Sequence, residues 1–260
     1  YIHAEAELWR TAARDEKGDL SSEDKYALDQ LRKRAYSLRA KARIKNVLSL
    51  TQSYVGITGD EWDANPWLLG VKNGTINLRT GELRPGQPQD YIRSVAPTVW
   101  TGLDTPAPTW DKVLLDSMNG DQVMAGYLRR LFGYSITGLV QEHIFPAMIG
   151  EGRNGKDTIF EAIGRTLGGA IACAVSNDVL IESKQASTGA AAPHLMTLQG
   201  KRIVWASETK EGARLNVAQV KFVTGGGQIR ARDLHKSEVS FSPTHTLFLM
   251  TNHRPHIEAG

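Results

Sequence analysis

The chain has 260 residues, a net charge of +3, 41% hydrophobic and 23% charged side chains, the balance of an ordinary globular protein with a core to bury. No apolar run approaches the ~18 residues of a membrane span, which argues against a membrane partner, and the single cysteine, Cys173, excludes an internal disulfide and points to a reducing, cytoplasmic compartment. His253 and His256 form the only close histidine pair and lack the further ligands a zinc site needs. The first residue is Tyr1 rather than Met, so the chain reads as an excised piece.

Ser21 or Ser22, followed by Glu23 and Asp24, looks like a helix start. Leu28, Leu31, Ala35, Leu38 and Ala42 continue at helical spacing and predict one long amphipathic helix. Its later half carries Arg32, Lys33, Arg34, Arg39, Lys41, Arg43 and Lys45 with no acid between them, either a solvated face or a nucleic-acid contact. From Trp62 to Trp100 the pattern changes to short alternating runs broken at Asn73-Gly74 and Thr80-Gly81, which predicts a small β-meander. The prolines around Pro106 and Pro108 mark a connection and a domain boundary near residue 108. Val113 and Leu114, then Val123, Tyr127, Leu128 and Leu131, predict two helices beyond it.

An apolar run from Ile144 to Ile149 then leads into Gly150-Glu151-Gly152-Arg153-Asn154-Gly155-Lys156-Asp157-Thr158 and an apolar-periodic helix through Ile159, Phe160, Ile163 and Leu167. Pro146 cannot donate to a sheet ladder, so the strand is expected to begin after it. Glycines in such a turn let backbone N–H groups converge at the positive end of a helix, where a polyphosphate is favoured. The spacing Gly150-x4-Gly155-Lys156 is that of a phosphate-binding P-loop, with Lys156 placed to reach β- and γ-phosphates. Asp157 stands where that pattern has Ser or Thr, so either its carboxylate or the Thr158 hydroxyl is the expected Mg²⁺ ligand. Two other readings use the same glycines. Gly150-x-Gly152-x-x-Gly155 also spells a dinucleotide fingerprint, with Asp178 or Glu182 as its acid, and the turn could cap a helix without any ligand.

Ser187 to Ala192 reads as a flexible loop. Arg202 to Ser207 is an apolar strand running into Glu208, whose carboxylate could hold a metal's water shell and orient an attacking water. After a helix from Asn216 to Val223 and the triplet Gly225-Gly226-Gly227, Arg230 and Arg232 alternate with Ile229 and Ala231. Val239 to Phe241 returns, predicting a hairpin with a basic face and a tip at Asp233 to Lys236. Thr246 to Thr251 is a last buried strand, ending at Asn252.

This order of elements, with Lys221-x-x-Thr224-Gly225-Gly226-Gly227-x-Ile229-x-Ala231-Arg232-x-Leu234-His235-Lys236 and then Thr251-Asn252, resembles the superfamily 3 helicases. More narrowly it resembles the helicase part of the phage and plasmid primase family, relatives of the poxvirus primase-helicase. The resemblance covers Trp62 to Gly260. It implies an α/β P-loop ATPase of AAA+ type with a mostly parallel sheet over 109–260, lacking its C-terminal end and preceded by a helical and β accessory region over 1–108. The implied activity is an ATP-dependent replicative DNA helicase of a phage, plasmid or mobile element in a bacterial cytoplasm. Such an enzyme uses ATP and Mg²⁺, works as a hexameric ring on single-stranded DNA or a replication fork, and can carry an upstream primase domain. By resemblance Lys156, Glu208 and Asn252 are the catalytic positions. Gly150, Glu151, Gly152, Arg153, Asn154 and Gly155 hold nucleotide with Lys156, Asp157 and Thr158. Asp157, Thr158 and Glu208 serve the metal, and Lys221, Arg230, Arg232, His235 and Lys236 grip DNA. The sequence departs from the family at Asp157 and at Gly227, where Asp is common. The arginine that enters a neighbour's site would fall beyond Gly260, Arg254 being too early. An initiator or packaging module that binds DNA without unwinding it, and a Rossmann oxidoreductase using NAD, remain open at this stage.

Overall fold

The computed structural model describes residues 21–51, 61–152, 154–180, 192–207, 215–234 and 237–255. The chain divides into two compact units, Tyr1–Thr58 and Gly59–Gly260, so the expected boundary near residue 108 falls inside the second.

In the first unit α1 (Ser22–Arg39) starts where the sequence predicts. The Ser21 hydroxyl accepts from the Asp24 amide at 3.1 Å, and Glu23 and Asp24 occupy the positive first turn. The single long helix does not form: Ala40 takes an extended conformation (φ −60°, ψ 127°), and a separate α2 (Lys41–Thr51) follows. Neither glycine nor proline stands at the break, so no local signal marks it. Leu28 and Ala35 are buried in α1, α2 buries nothing, and the basic residues from Arg32 to Lys45 are exposed.

The second unit opens with a four-stranded sheet of β1 (Leu68–Val71), β2 (Gly74–Asn77), β3 (Leu83–Arg84) and β4 (Val95–Ala96), in the order β3-β2-β1-β4. The first three form the predicted meander. β4 joins β1 in parallel, which a meander does not contain. Two helices follow, α3 (Pro108–Ser117) and α4 (Gln122–Thr137), the latter capped by Asp121, whose carboxylate accepts from the Val123 and Met124 amides.

The centre is a parallel sheet of β5 (Ala147–Ile149), β6 (Ala172–Ala174), β7 (Ile203–Ser207) and β10 (Thr246–Thr251), in the order β5-β10-β7-β6. β5 begins immediately after Pro146, whose carbonyl accepts from the Leu249 amide at 2.9 Å. All six residues of β10 are buried because the sheet is covered on both faces, and this makes its strands read as unbroken apolar runs. Phe248, Met250 and Ile203 turn to one face with α3, α4 and α5 (Lys156–Leu167). Val204, Ala206, Leu247 and Leu249 turn to the other, against α6 (Pro193–Met196), α7 (Val217–Thr224) and the hairpin of β8 (Ile229–Ala231) and β9 (Val239–Phe241). Arg202 ties the layers: its guanidinium donates to the Ile136 carbonyl at 2.8 Å and the Leu68 carbonyl at 2.7 Å. No helix among the described residues is long and apolar enough to cross a membrane.

His245, just before β10, is 2% exposed, and neither ring nitrogen has a hydrogen-bond partner among the described residues. Burial pushes its pKa down from 6.5 to about 4, against a weak opposing pull from the Val223 carbonyl. Between those values the unfolded chain holds a proton the folded chain refuses, so stability falls as pH drops through that window. At pH 5 the loss relative to pH 8 is about 2 kcal/mol. The check is chemical unfolding of wild type and His245→Leu at both pH values. A stability difference between the two proteins that does not change with pH would remove His245 as the cause.

Candidate nucleotide site

β5 delivers the chain into the glycine loop, and the Gly150 amide donates to the Thr251 carbonyl at 3.2 Å, fixing the loop's entrance to the end of β10. At the exit Gly155 has φ +87° and offers no side-chain cap, so the first-turn amides of α5 are uncapped by any side chain. A Cβ at Gly155 would lie 2.3 Å from the Ser117 hydroxyl of α3, and one at Gly150 would lie 2.1 Å from the Asn154 side-chain nitrogen. Glycine is required at Gly155 by its left-handed backbone, whereas a side chain at Gly150 would have to displace the Asn154 amide. Gly155→Ala is expected to lower stability by about 2 kcal/mol, from the left-handed backbone and the contact together. Adding Ser117→Ala should restore the contact part only. Equal melting temperatures for Gly155→Ala and wild type would show that the turn is not constrained as described.

Lys156 is buried rather than open to solvent. It is the first residue of α5 and only 9% exposed. Its ammonium donates to the Gly150 carbonyl at 2.5 Å, the Asn154 side-chain oxygen at 3.0 Å, the Asn252 side-chain oxygen at 3.2 Å and the Glu151 carbonyl at 3.5 Å. Burial holds its pKa below the ordinary lysine value, with Asp157 opposing. The amine is thus gathered inside the loop by neutral oxygens, a set that an anion bearing several negative oxygens can outcompete for a cation.

Asn252 reaches Lys156 because β10 lies directly beside β5, and Thr251 pairs with Ile149 in register. On the other flank of β10, Met250 pairs with Ser207, so β7 ends at the same edge of the sheet. Glu208, the next residue after Ser207, lies outside the described residues, as do Arg153, His235 and Lys236. Glu151, Gly152, Asp157 and Thr158 are exposed around the loop. The carboxylate of Asp157 and the hydroxyl of Thr158, at the start of α5, are oxygen donors of the kind Mg²⁺ accepts. Among the described residues no three His, Cys, Asp or Glu side chains cluster as a preformed metal site.

Beside the loop runs a groove of about 400 Å³ bordered by Met118, Met124, Tyr127, Met148 and Ile149 and ending at Asn154 and Lys156. Tyr127 and Met124 are 49% and 44% exposed, and Val123, read with Tyr127 as part of the apolar spacing of α4, is 81% exposed. Neither Ser117 nor this groove is visible in the sequence, since both arise from α3 and α4 packing against a loop that follows them in the chain.

The dinucleotide reading loses its geometry. The fingerprint needs an acid at the end of the strand next to the glycine loop, but β10 and β7 separate β5 from β6, about 14 Å across at ~4.8 Å per strand. Asp178 accepts from Ser176 at 2.7 Å, and Glu182 lies outside the described residues. The loop expected at Ser187 to Ala192 lies outside them up to residue 191, as does His256.

In the basic hairpin Arg230 pairs with Ser240 and is exposed between buried Ile229 and Ala231. Arg232 follows β8 and is exposed, and Lys221 is exposed on α7.

Comparison with known proteins places this arrangement. Residues 3–119 match the family described as D5 N terminal like, and residues 148–260 match a family of unknown function (DUF5906). A protein of Acanthamoeba polyphaga mimivirus, named as a candidate helicase, is 30% identical over 200 residues, covering 76% of this chain and 20% of the relative. A protein of African swine fever virus, named as a candidate primase, is 24% identical over 196 residues, covering 74% of this chain and 20% of the relative. Among solved structures, the apo C-terminal region of NrS-1 in its A form shares the fold. The TM-score is 0.51 and the identity 11%, over 82% of this chain and 49% of that one. The two family matches and the two viral relatives relate this chain to viral helicases and primases. It spans about a fifth of the length of the curated relatives it matches.

Proposed function

We propose that this chain is the ATP-hydrolysing part of a DNA helicase, a P-loop ATPase of AAA+ type that works on single-stranded DNA at a replication fork. The observation that carries the reading is the meeting of Lys156 and Asn252 at 3.2 Å, 96 residues apart, at the mouth of a glycine cradle. A helix-capping turn has no need of a buried cation or of an asparagine from another strand. In this reading the Gly150 to Gly155 amides and Lys156 bind the triphosphate, and the Met124 and Tyr127 groove seats the nucleoside. Mg²⁺, held by Asp157 or Thr158 with Glu208, supplies charge neutralisation for the phosphates. Glu208 and Asn252 orient the attacking water. Arg230, Arg232, His235, Lys236 and Lys221 contact DNA phosphates, and copies of the chain assemble as a ring, with six as the family's number.

The test is ATP hydrolysis with and without single-stranded DNA. Wild type should hydrolyse ATP faster with DNA present, and Asn252→Ala should lose about 10- to 100-fold in turnover while still binding ATP, since one polar positioning group is removed. Wild-type turnover in Asn252→Ala would return this residue to the role of a strand-end turn. An initiator without unwinding activity would hydrolyse ATP yet fail to displace a strand from a forked duplex.

A further inference from the structure

On the side of the second unit where β7 and β10 begin, opposite the glycine loop, lies an open groove of about 500 Å³, within the about 300–1,000 Å³ range of ligand sites. One wall is the exposed face of the β8–β9 hairpin. Gln228 and Ser240 line the groove, joined by a 3.0 Å hydrogen bond from the Ser240 hydroxyl, and Arg230 pairs with Ser240 on the same face of the ribbon. The opposite wall carries Trp62 and Arg93. Asp63 holds that wall together. At φ +56°, it donates its amide to the Tyr91 carbonyl at 2.8 Å, and its carboxylate accepts from the Arg93 and Ser94 amides and the Ser94 hydroxyl. Tyr91 meets the Trp62 ring edge-on at 6.1 Å, and the indole remains 37% exposed.

We infer that this groove is a binding track for single-stranded DNA, continuing the strand's path from the Arg230 face of the hairpin to Trp62 and Arg93. The inference rests on the proposed function for its occupant. Its chemistry is that of sequence-tolerant strand binding. A braced, partly exposed indole offers a stacking face that every base can use. Arg93 is exposed and has no ion pair among the described residues, so it is available to a phosphate. Gln141, Gln199 and Gln228 present neutral amides that both donate and accept, matching any base edge without selecting one. Among the described residues Asp63 is the only acid on the lining, and its oxygens are already occupied by the backbone and Ser94. Arg202, at the floor, is committed to two carbonyls.

The experiment measures binding of a fluorescent oligo-dT to the full chain by anisotropy over a range of salt. The proteins are wild type, Trp62→Ala, Trp62→Phe, Arg93→Ala and Arg230→Ala, with ATP hydrolysis in the absence of DNA as a separate readout. Trp62→Ala should weaken binding at least fivefold and Trp62→Phe should restore most of it, the expectation for lost stacking. Arg93→Ala should flatten the slope of log K against log salt by about 0.7, one phosphate contact. DNA-free hydrolysis should not change in the Trp62 and Arg93 variants. Loss of binding in Arg230→Ala alone, with Trp62→Ala and Arg93→Ala binding like wild type, would overturn the groove and leave the proposed motor standing. Wild type that hydrolyses ATP but does not bind oligo-dT would overturn it as well. Should Trp62→Ala fold poorly, the Arg93→Ala salt slope decides, because that side chain is exposed. Absence of hydrolysis in wild type with groove-dependent DNA binding intact would instead remove the motor and keep the track.

Discussion

Lys156→Ala is expected to reduce ATP turnover on the order of 1,000-fold, the scale of removing a positioned electrostatic donor from developing phosphate charge. The ammonium already lies within the loop, at hydrogen-bond distance from oxygens of Gly150, Asn154 and Asn252. Its replacement removes the cation and leaves the cradle's glycines and amides in place. The apo protein should therefore melt close to wild type, because what is lost is a desolvated charge, whose depressed pKa reflects the cost of burying it. The two effects separate in a pair of measurements: steady-state hydrolysis, and the rise in melting temperature on adding Mg-ATP. Turnover and ligand-induced stabilisation should both collapse while apo stability holds. Full turnover in the variant would dismiss the phosphate-loop reading. A large fall in apo melting temperature would instead make Lys156 a structural clasp between β5 and β10.

Phe160→Ala should cost about 3–5 kcal/mol, the largest stability loss expected from a single side chain here. Phe160 is fully buried, and its ring meets Phe248 at 5.2 Å, Trp205 at 5.3 Å and Phe132 at 5.9 Å. These partners come from β10, β7 and α4, so one truncation opens a cavity between the sheet and two helices. Val123→Ala on α4 provides the control: Val123 is 81% exposed, and its change should stay within about 0.5 kcal/mol. Denaturant unfolding of the two variants checks both numbers. A Phe160→Ala loss below about 1 kcal/mol would mean that the aromatic cluster is loosely packed.

The parts of this protein that are local in the chain were legible in its residues. Ser21 and Asn216 announce helix starts because a short polar side chain satisfies an orphaned amide within three residues. β7 and β10 appear as apolar runs because both faces of their sheet are covered, and the glycines around Lys156 mark the turn that links β5 to α5. Pairing between distant segments has no such signature. The order β5-β10-β7-β6 decides that Asn252, and not Asp178, stands at the glycine loop, and no residue near either position encodes which strand lies beside which. Burial of Lys156 also follows from that order, since the oxygen that completes its environment comes from β10. The contact of Ser117 with Gly155, the crossing of Arg202 to Leu68 and Ile136, and the groove between Trp62 and the hairpin join segments far apart in sequence. Side-chain periodicity and capping act over a few residues and are written in them, whereas the site is made by long-range packing, which only the folded chain supplies.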